Sequence, residues 1–223
     1  SRMQGMDMGP GTDLGGLGWF AGVWATMMAA MMLPSLVPMA VGHARASSDA
    51  GTRWAGPASG VFALGYMVTW VVAGFLAYGV FAAARSAGAL SLGWSSAGRY
   101  VAGGVILAAA AYELTPAKRA CLRHCRNPAL LRARWRPGLS GALTTGIEHG
   151  GFCVGTSWAL MAVLFAVGVM NVTWMVVLAA VVAVEKLLPL RSVAVGASAL
   201  FVAGLAFAVA FAPAHVPWLT VPM

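Results

Sequence analysis

LSGALTTGIEHGGFCVGTSWALMAVLFAVGV, residues 139–169, decides the fold. It runs well past the roughly 20 apolar residues that cross a bilayer as a helix. Besides the thiol of Cys153, its ionisable side chains are Glu148 and His149. A helix hydrophobic on all sides is either buried in a large core or set in lipid. The remainder of the chain supports lipid. Of its 223 residues, 60% are hydrophobic and 9% charged, where a soluble domain carries about a quarter charged residues.

The same ruler, applied outward, gives six apolar spans. Helix one covers Leu17 to Val41, helix two Gly60 to Ala83 and helix three Arg99 to Leu114. Helix four is the quoted stretch, Leu139 to Val169; helix five covers Val172 to Leu188 and helix six Val193 to Ala212. The expected fold is an all-α membrane protein, a six-transmembrane-helix bundle forming one domain over 17–223 behind a flexible methionine-containing tail at 1–16. No signal-peptide pattern precedes helix one, which is expected to stay in the chain.

Basic residues set the orientation. The loops after helices one, three and five hold eleven of the 14 Lys and Arg: Arg45, Arg53, Lys118, Arg119, Arg123, Arg126, Arg132, Arg134, Arg136, Lys186 and Arg191. Arg2, Arg85 and Arg99 fall on the opposite side. Both termini are therefore expected on the non-cytoplasmic side of a bacterial inner membrane. The long basic segment Thr115 to Pro137 interleaves Leu122, Leu130, Leu131 and Trp135 with seven cations. It is expected to lie along the cytoplasmic interface, held by anionic lipid, or to offer a docking surface. A net charge of +8 arranged this way, with no helix-turn-helix, zinc finger or aromatic-basic pattern, excludes a nucleic-acid partner.

Ionisable groups inside lipid cost free energy unless paired, hydrated or metal-bound, so each is a functional candidate. Glu113 ends helix three, Glu148 and His149 lie about three turns into helix four, and Glu185 with Lys186 closes helix five. Cys153 follows His149 by four residues on the same helical face. All are expected in the cytoplasmic half, where they could converge. In the bland alternative, His149 bonds a backbone carbonyl and Glu148 pairs with Lys186. Gly146/Gly150 and Gly151/Gly155 form two small-xxx-small pairs, which suit a central helix approached closely by neighbours.

Cys121, His124 and Cys125 occur at i, i+3 and i+4, one face of a helix. Thiolate and imidazole suit Cu(I) or Zn(II); the alternative is an interfacial helix with two buried thiols and a solvated histidine. Three cysteines cannot form a complete disulfide set, so free thiols or metal ligands are expected. Thirteen methionines cluster as Met3, Met6 and Met8 in the tail and as Met27, Met28, Met31 and Met32 in helix one. Thioethers are soft ligands for Cu(I), although in a helix methionine also fills packing gaps. Haem is not favoured, because His149 is the one deep histidine while His43, His124 and His215 fall at or beyond helix ends. No Ser/His/Asp arrangement, phosphate loop or HExxH points to hydrolysis. A weak internal echo links MMLPSLVPMAVG at 31–42 to EKLLPLRSVAVG at 185–196.

In combination, YELTPAKRACLRHCRNP (112–128), WRPGLSGALTTGIEHGGFC (135–153), SWALMAVLFAVGVMNVTWM (157–175), VEKLLP (184–189) and MMAAMMLPSLVP (27–38) resemble a bacterial family of uncharacterised predicted metal-binding integral membrane proteins, a domain of unknown function. The resemblance covers roughly Trp24 to Pro189. It implies a membrane-embedded metal-handling protein and supplies no reaction. Where that family carries a cysteine pair in a GCCW-like string, this chain has Gly155-Thr156-Ser157-Trp158. The departure moves weight onto Glu113, Glu148, His149, Cys153, Glu185 and the helix-one methionines.

The expectation is a copper-handling protein acting in transport or in delivery to a metalloenzyme. The tail would collect Cu(I) and helix one would pass it on. Glu148, His149 and Cys153 would hold it midway, and Cys121, His124 and Cys125 would act on the cytoplasmic side. Zinc is the second candidate metal, and a membrane or periplasmic protein the expected partner. The alternative is a non-catalytic accessory or assembly subunit of a larger membrane complex. An enzyme using Glu148 and His149 as acid and base lacks a second catalytic element.

Overall fold

The computed structural model describes residues 16–51, 55–86, 96–167, 172–187 and 191–212. The tail methionines Met3, Met6 and Met8 lie outside the described residues. Within these residues the chain forms eight helices and no strand: α1 (Leu17–Asp49), α2 (Ala55–Ser86), α3 (Ser96–Glu113), α4 (Pro116–Arg126), α5 (Pro128–Ala133), α6 (Gly138–Val167), α7 (Val172–Leu187) and α8 (Arg191–Phe211). The six expected helices correspond to α1, α2, α3, α6, α7 and α8.

Among the described residues, four helices are long and apolar enough to cross a membrane: Leu17–Asp49, Gly56–Val80, Gly138–Val167 and Val193–Phe211. A fifth span results if Tyr100–Glu113 and Pro116–Arg126 are one broken segment. Large apolar side chains point outward along these helices, among them Leu64, Leu76, Val80, Leu200, Phe207 and Phe211. A water-soluble surface rarely carries that much apolar area.

Two elements differ from expectation. Helix one continues eight residues beyond Val41, to Asp49. His43 and Ser47, four apart, are both buried, so the inward face persists where the sequence turns polar. Gly51 follows with φ +67°, a left-handed position that glycine occupies without Cβ strain. Pro34 and Pro38 lie inside α1, each removing one helical N–H donor. The basic segment, expected at the interface with no fixed structure beyond a possible helix at Cys121–Cys125, folds into two short helices. Pro116 opens α4, and Asn127 caps α5 by accepting the Ala129 amide at 3.0 Å. Lys118, Leu122 and Cys125 form a buried stripe on α4, and Leu131 of α5 is buried.

The chain divides into two compact units. One contains Ala77–Thr115 and Trp158–Met223. Here α3 packs along α8: a Cβ on Gly103 would come within 2.9 Å of the Ala210 Cβ, and Tyr100 meets Phe211 edge-on at 6.1 Å. Ile106, Val202 and Val209 are fully enclosed.

The other unit contains Gly18–Leu76 and Pro116–Ser157. Its α2 and α6 cross almost backbone to backbone. A Cβ on Gly65 would collide with the Leu143 carbonyl, one on Gly146 with the Phe62 carbonyl, and one on Gly150 with Thr69. Thr69 Oγ1 donates to the Ile147 carbonyl at 3.2 Å. On the other side of α2, Trp24 Nε1 donates to the Trp70 carbonyl at 2.8 Å, and its indole fills the space that the missing side chain of Gly74 leaves. Helix α5 covers α1 at Gly42, against Pro128 and Leu131.

Candidate metal centre

The Gly146/Gly150 face of α6 brings the next ring of side chains against α2. Thr145, His149, Cys153 and Thr156 follow the inward face of α6, and all are buried. Tyr66 of α2 lies opposite, its hydroxyl 3.0 Å from Cys153 Sγ. The His149 ring is 6.0 Å from the Tyr66 ring and 5.8 Å from Phe62. Phe62 in turn stacks on His43 of α1 at 4.9 Å and 16°.

Helix α4 supplies two more thiols. Gly155 presses against Cys121, whose Sγ would be 2.8 Å from a Cβ there. This is the packing use of the Gly151/Gly155 pair; Gly151 itself meets nothing. Cys125 is buried. None of the three cysteines is in a disulfide. Partial burial pushes the Cys121 thiol up from its ordinary pKa, because desolvation disfavours the thiolate.

His124 is held differently. Its Nδ1 lies 3.0 Å from the Ala120 carbonyl, and its ring stacks on Phe152 at 4.2 Å and 6°. It lines a part-open cavity with Leu131, Arg134, Thr145, Glu148 and His149.

Glu148 is not the enclosed acid that the apolar run suggests. One position on from Ile147 and one before His149, it points to a part-exposed side of α6, where Arg136 holds it at 3.0 Å and Arg134 at 3.8 Å. Those arginines are the partners that the structure gives this carboxylate. They reach it because the chain between α5 and α6 doubles back, a path also fixed by Trp135 Nε1 donating to Ser47 Oγ at 3.1 Å. With both arginines about half exposed, each ion pair contributes at most about 1 kcal/mol.

Glu113 and Glu185 meet in the other unit. Both are fully buried, and Ser198 of α8 stands between them. Its Oγ donates to Glu185 and lies 3.4 Å from a Glu113 oxygen. One hydroxyl has one hydrogen to give, so Ser198 can donate to only one of these carboxyls, from α3 or α7, at a time. Ser198→Ala should lower stability by about 1–3 kcal/mol, as expected when buried acceptors lose a donor. The thermal unfolding midpoint in detergent measures it.

Among the described residues, no three His, Cys, Asp or Glu side chains stand together as a ready metal cage. Soft thioethers are present besides. Met27, Met28, Met31 and Met32 are all buried in α1, which makes them inward-facing thioethers. Met39 is buried on the same helix.

Tyr66, Ser198 and Met39 escaped the sequence reading, and His43 was placed at a helix end. A tyrosine or serine within an apolar run carries no signal of its own. For Met39 and His43 a signal exists, because they are four apart and continue the buried positions Met28, Met32 and Leu36. His43 is 1% exposed, and neither ring nitrogen has a hydrogen-bond partner. A buried polar group left so costs about 1–3 kcal/mol.

The sequence profile of the PpoB2 family, described as a copper chaperone, matches residues 21–209. The chain belongs to this family. No curated protein and no solved structure matches it.

Proposed function

We propose that this member of the PpoB2 copper chaperone family is embedded in the bacterial inner membrane, where it holds Cu(I) and delivers it to a metalloenzyme. Its six helices α1, α2, α3, α6, α7 and α8 cross the bilayer with both termini outside. The cationic α4–α5 segment lies at the cytoplasmic face beside anionic lipid. One observation carries the copper reading: none of the three cysteines is in a disulfide, and on α6 Cys153 lies against Tyr66 beside His149 while Cys121 of α4 packs on Gly155 of the same helix.

Soft thiolates select Cu(I) over harder ions. Cys153, Cys125 and Cys121 are the candidate ligands, with His149 as a nitrogen donor. The Tyr66 hydroxyl holds the Cys153 sulfur in place and donates to it once the proton has left. The methionines of α1 offer weaker thioether positions through which the ion exchanges. The tail methionines Met3, Met6 and Met8 collect it outside. Glu148, bound by two arginines, serves to fix the α5–α6 segment against the centre. Glu113 and Glu185 form a separate carboxyl pair.

The test is the metal content of the full chain, purified in mild detergent without added metal and measured by elemental mass spectrometry beside a His149→Ala/Cys153→Ala double variant. Near-stoichiometric copper, lost in the variant, is expected. A wild-type chain that takes up no copper even after Cu(I) loading overturns the reading.

A further inference from the structure

We infer that His43 and Met39 form a second Cu(I) site on α1, separate from the thiol group and resting on the copper-delivery reading above. Three observations support it. First, His43 is enclosed yet both its ring nitrogens lack hydrogen-bond partners. Buried polar groups in native structures are nearly always satisfied by protein or water, so an imidazole without a partner marks a place for a ligand. Its ring is fixed by stacking on Phe62, which leaves its edge, with the nitrogens, free to bind.

Second, Met39 stands one helical turn before His43 on the same buried face. Side chains four apart on a helix are neighbours. A thioether and an imidazole together match Cu(I), which is content with few soft ligands, and suit Zn(II), Mg(II) or Ca(II) poorly. The pair needs no carboxylate, in keeping with the absence of a three-residue His/Cys/Asp/Glu cluster among the described residues. Third, the site ends a seam of buried methionines, Met28 and Met32 with Leu36 between them and Met39. Pro38 removes a backbone hydrogen bond in the turn just before Met39, which gives that turn latitude to close around an ion.

His43 and His149 both pack on Phe62, so the second site adjoins the first. It serves as the exchange position between the α1 thioethers and the thiols.

The test uses the full detergent-purified chain carrying 13C-methyl methionine, titrated with Cu(I) against a competing chelator. The Met39 methyl resonance, assigned by Met39→Leu, should shift in a step distinct from filling of the thiol group. His43→Phe, which keeps the stack on Phe62, should bind one copper fewer than wild type and leave the Met39 resonance unmoved. Met39→Leu, close in volume, should weaken the same step at least tenfold. Copper retained by the thiols of either variant shows that the fold survives. A wild-type Met39 resonance that does not respond, or a His43→Phe chain with the full copper complement, overturns this site while leaving copper delivery standing. A wild-type chain that binds no Cu(I) overturns both.

Discussion

Gly146→Leu should abolish recovery of folded protein, whereas Gly151→Ala, five residues away on the same helix, should leave it unchanged. At Gly146 even a Cβ would collide with the Phe62 carbonyl of α2. That atom is backbone, so it cannot rotate away as a side chain could. Overpacking a core costs about 1–3 kcal/mol and sometimes more. A branched side chain between two crossing backbones belongs at or above the upper end, at least about 3 kcal/mol. The same displacement would separate Tyr66 from Cys153 and Phe62 from His149. Gly151 meets nothing within 4 Å, and alanine is the better helix former by about 1 kcal/mol. Size-exclusion profiles and unfolding midpoints of the two variants, taken side by side, measure the difference.

The second large effect is on copper. Cys153→Ser should weaken Cu(I) binding at least tenfold, or about 1.4 kcal/mol. Replacing Cys121, Cys125 and Cys153 together should weaken it about a thousandfold, near 4 kcal/mol. A hydroxyl has nearly the shape of a thiol but is a hard, poor ligand for Cu(I). Serine at position 153 can keep the hydrogen bond to Tyr66, so folding should be spared while affinity falls. Unfolding midpoints within a few degrees of wild type, together with chelator competition, separate the two effects. Loss of affinity in proportion to loss of folded protein would contradict a ligand role.

The apolar runs that became α1, α2, α3, α6, α7 and α8 were legible because hydropathy and length do not depend on which neighbour a helix meets. The Gly146/Gly150 pair was also legible as a close-approach face, and α2 fills it. The identity of the facing residues was not. Nothing in YMVTWVVAG distinguishes Tyr66 as the partner of Cys153 from an ordinary aromatic in an apolar helix. His43 was read as lying at a helix end because Gly42 and the polar residues after it resemble a loop. Contacts with α5 and with Trp135 continue the helix past them. Charge was the least legible property. Lys118, one of seven cations in a segment expected to lie at the interface, is fully buried, while Glu148, embedded in an apolar run, is part-exposed beside two arginines. Hydropathy averages over a window and cannot resolve which side of a helix a single charge takes.

The most direct measurement is copper K-edge X-ray absorption on the Cu(I)-loaded chain, compared with the triple Cys121→Ser/Cys125→Ser/Cys153→Ser variant. A first shell dominated by sulfur in the wild type, falling to thioether and nitrogen scatterers at lower occupancy in the variant, is what copper held among the three thiols predicts. A shell of nitrogen and oxygen alone, the same in both proteins, would contradict it.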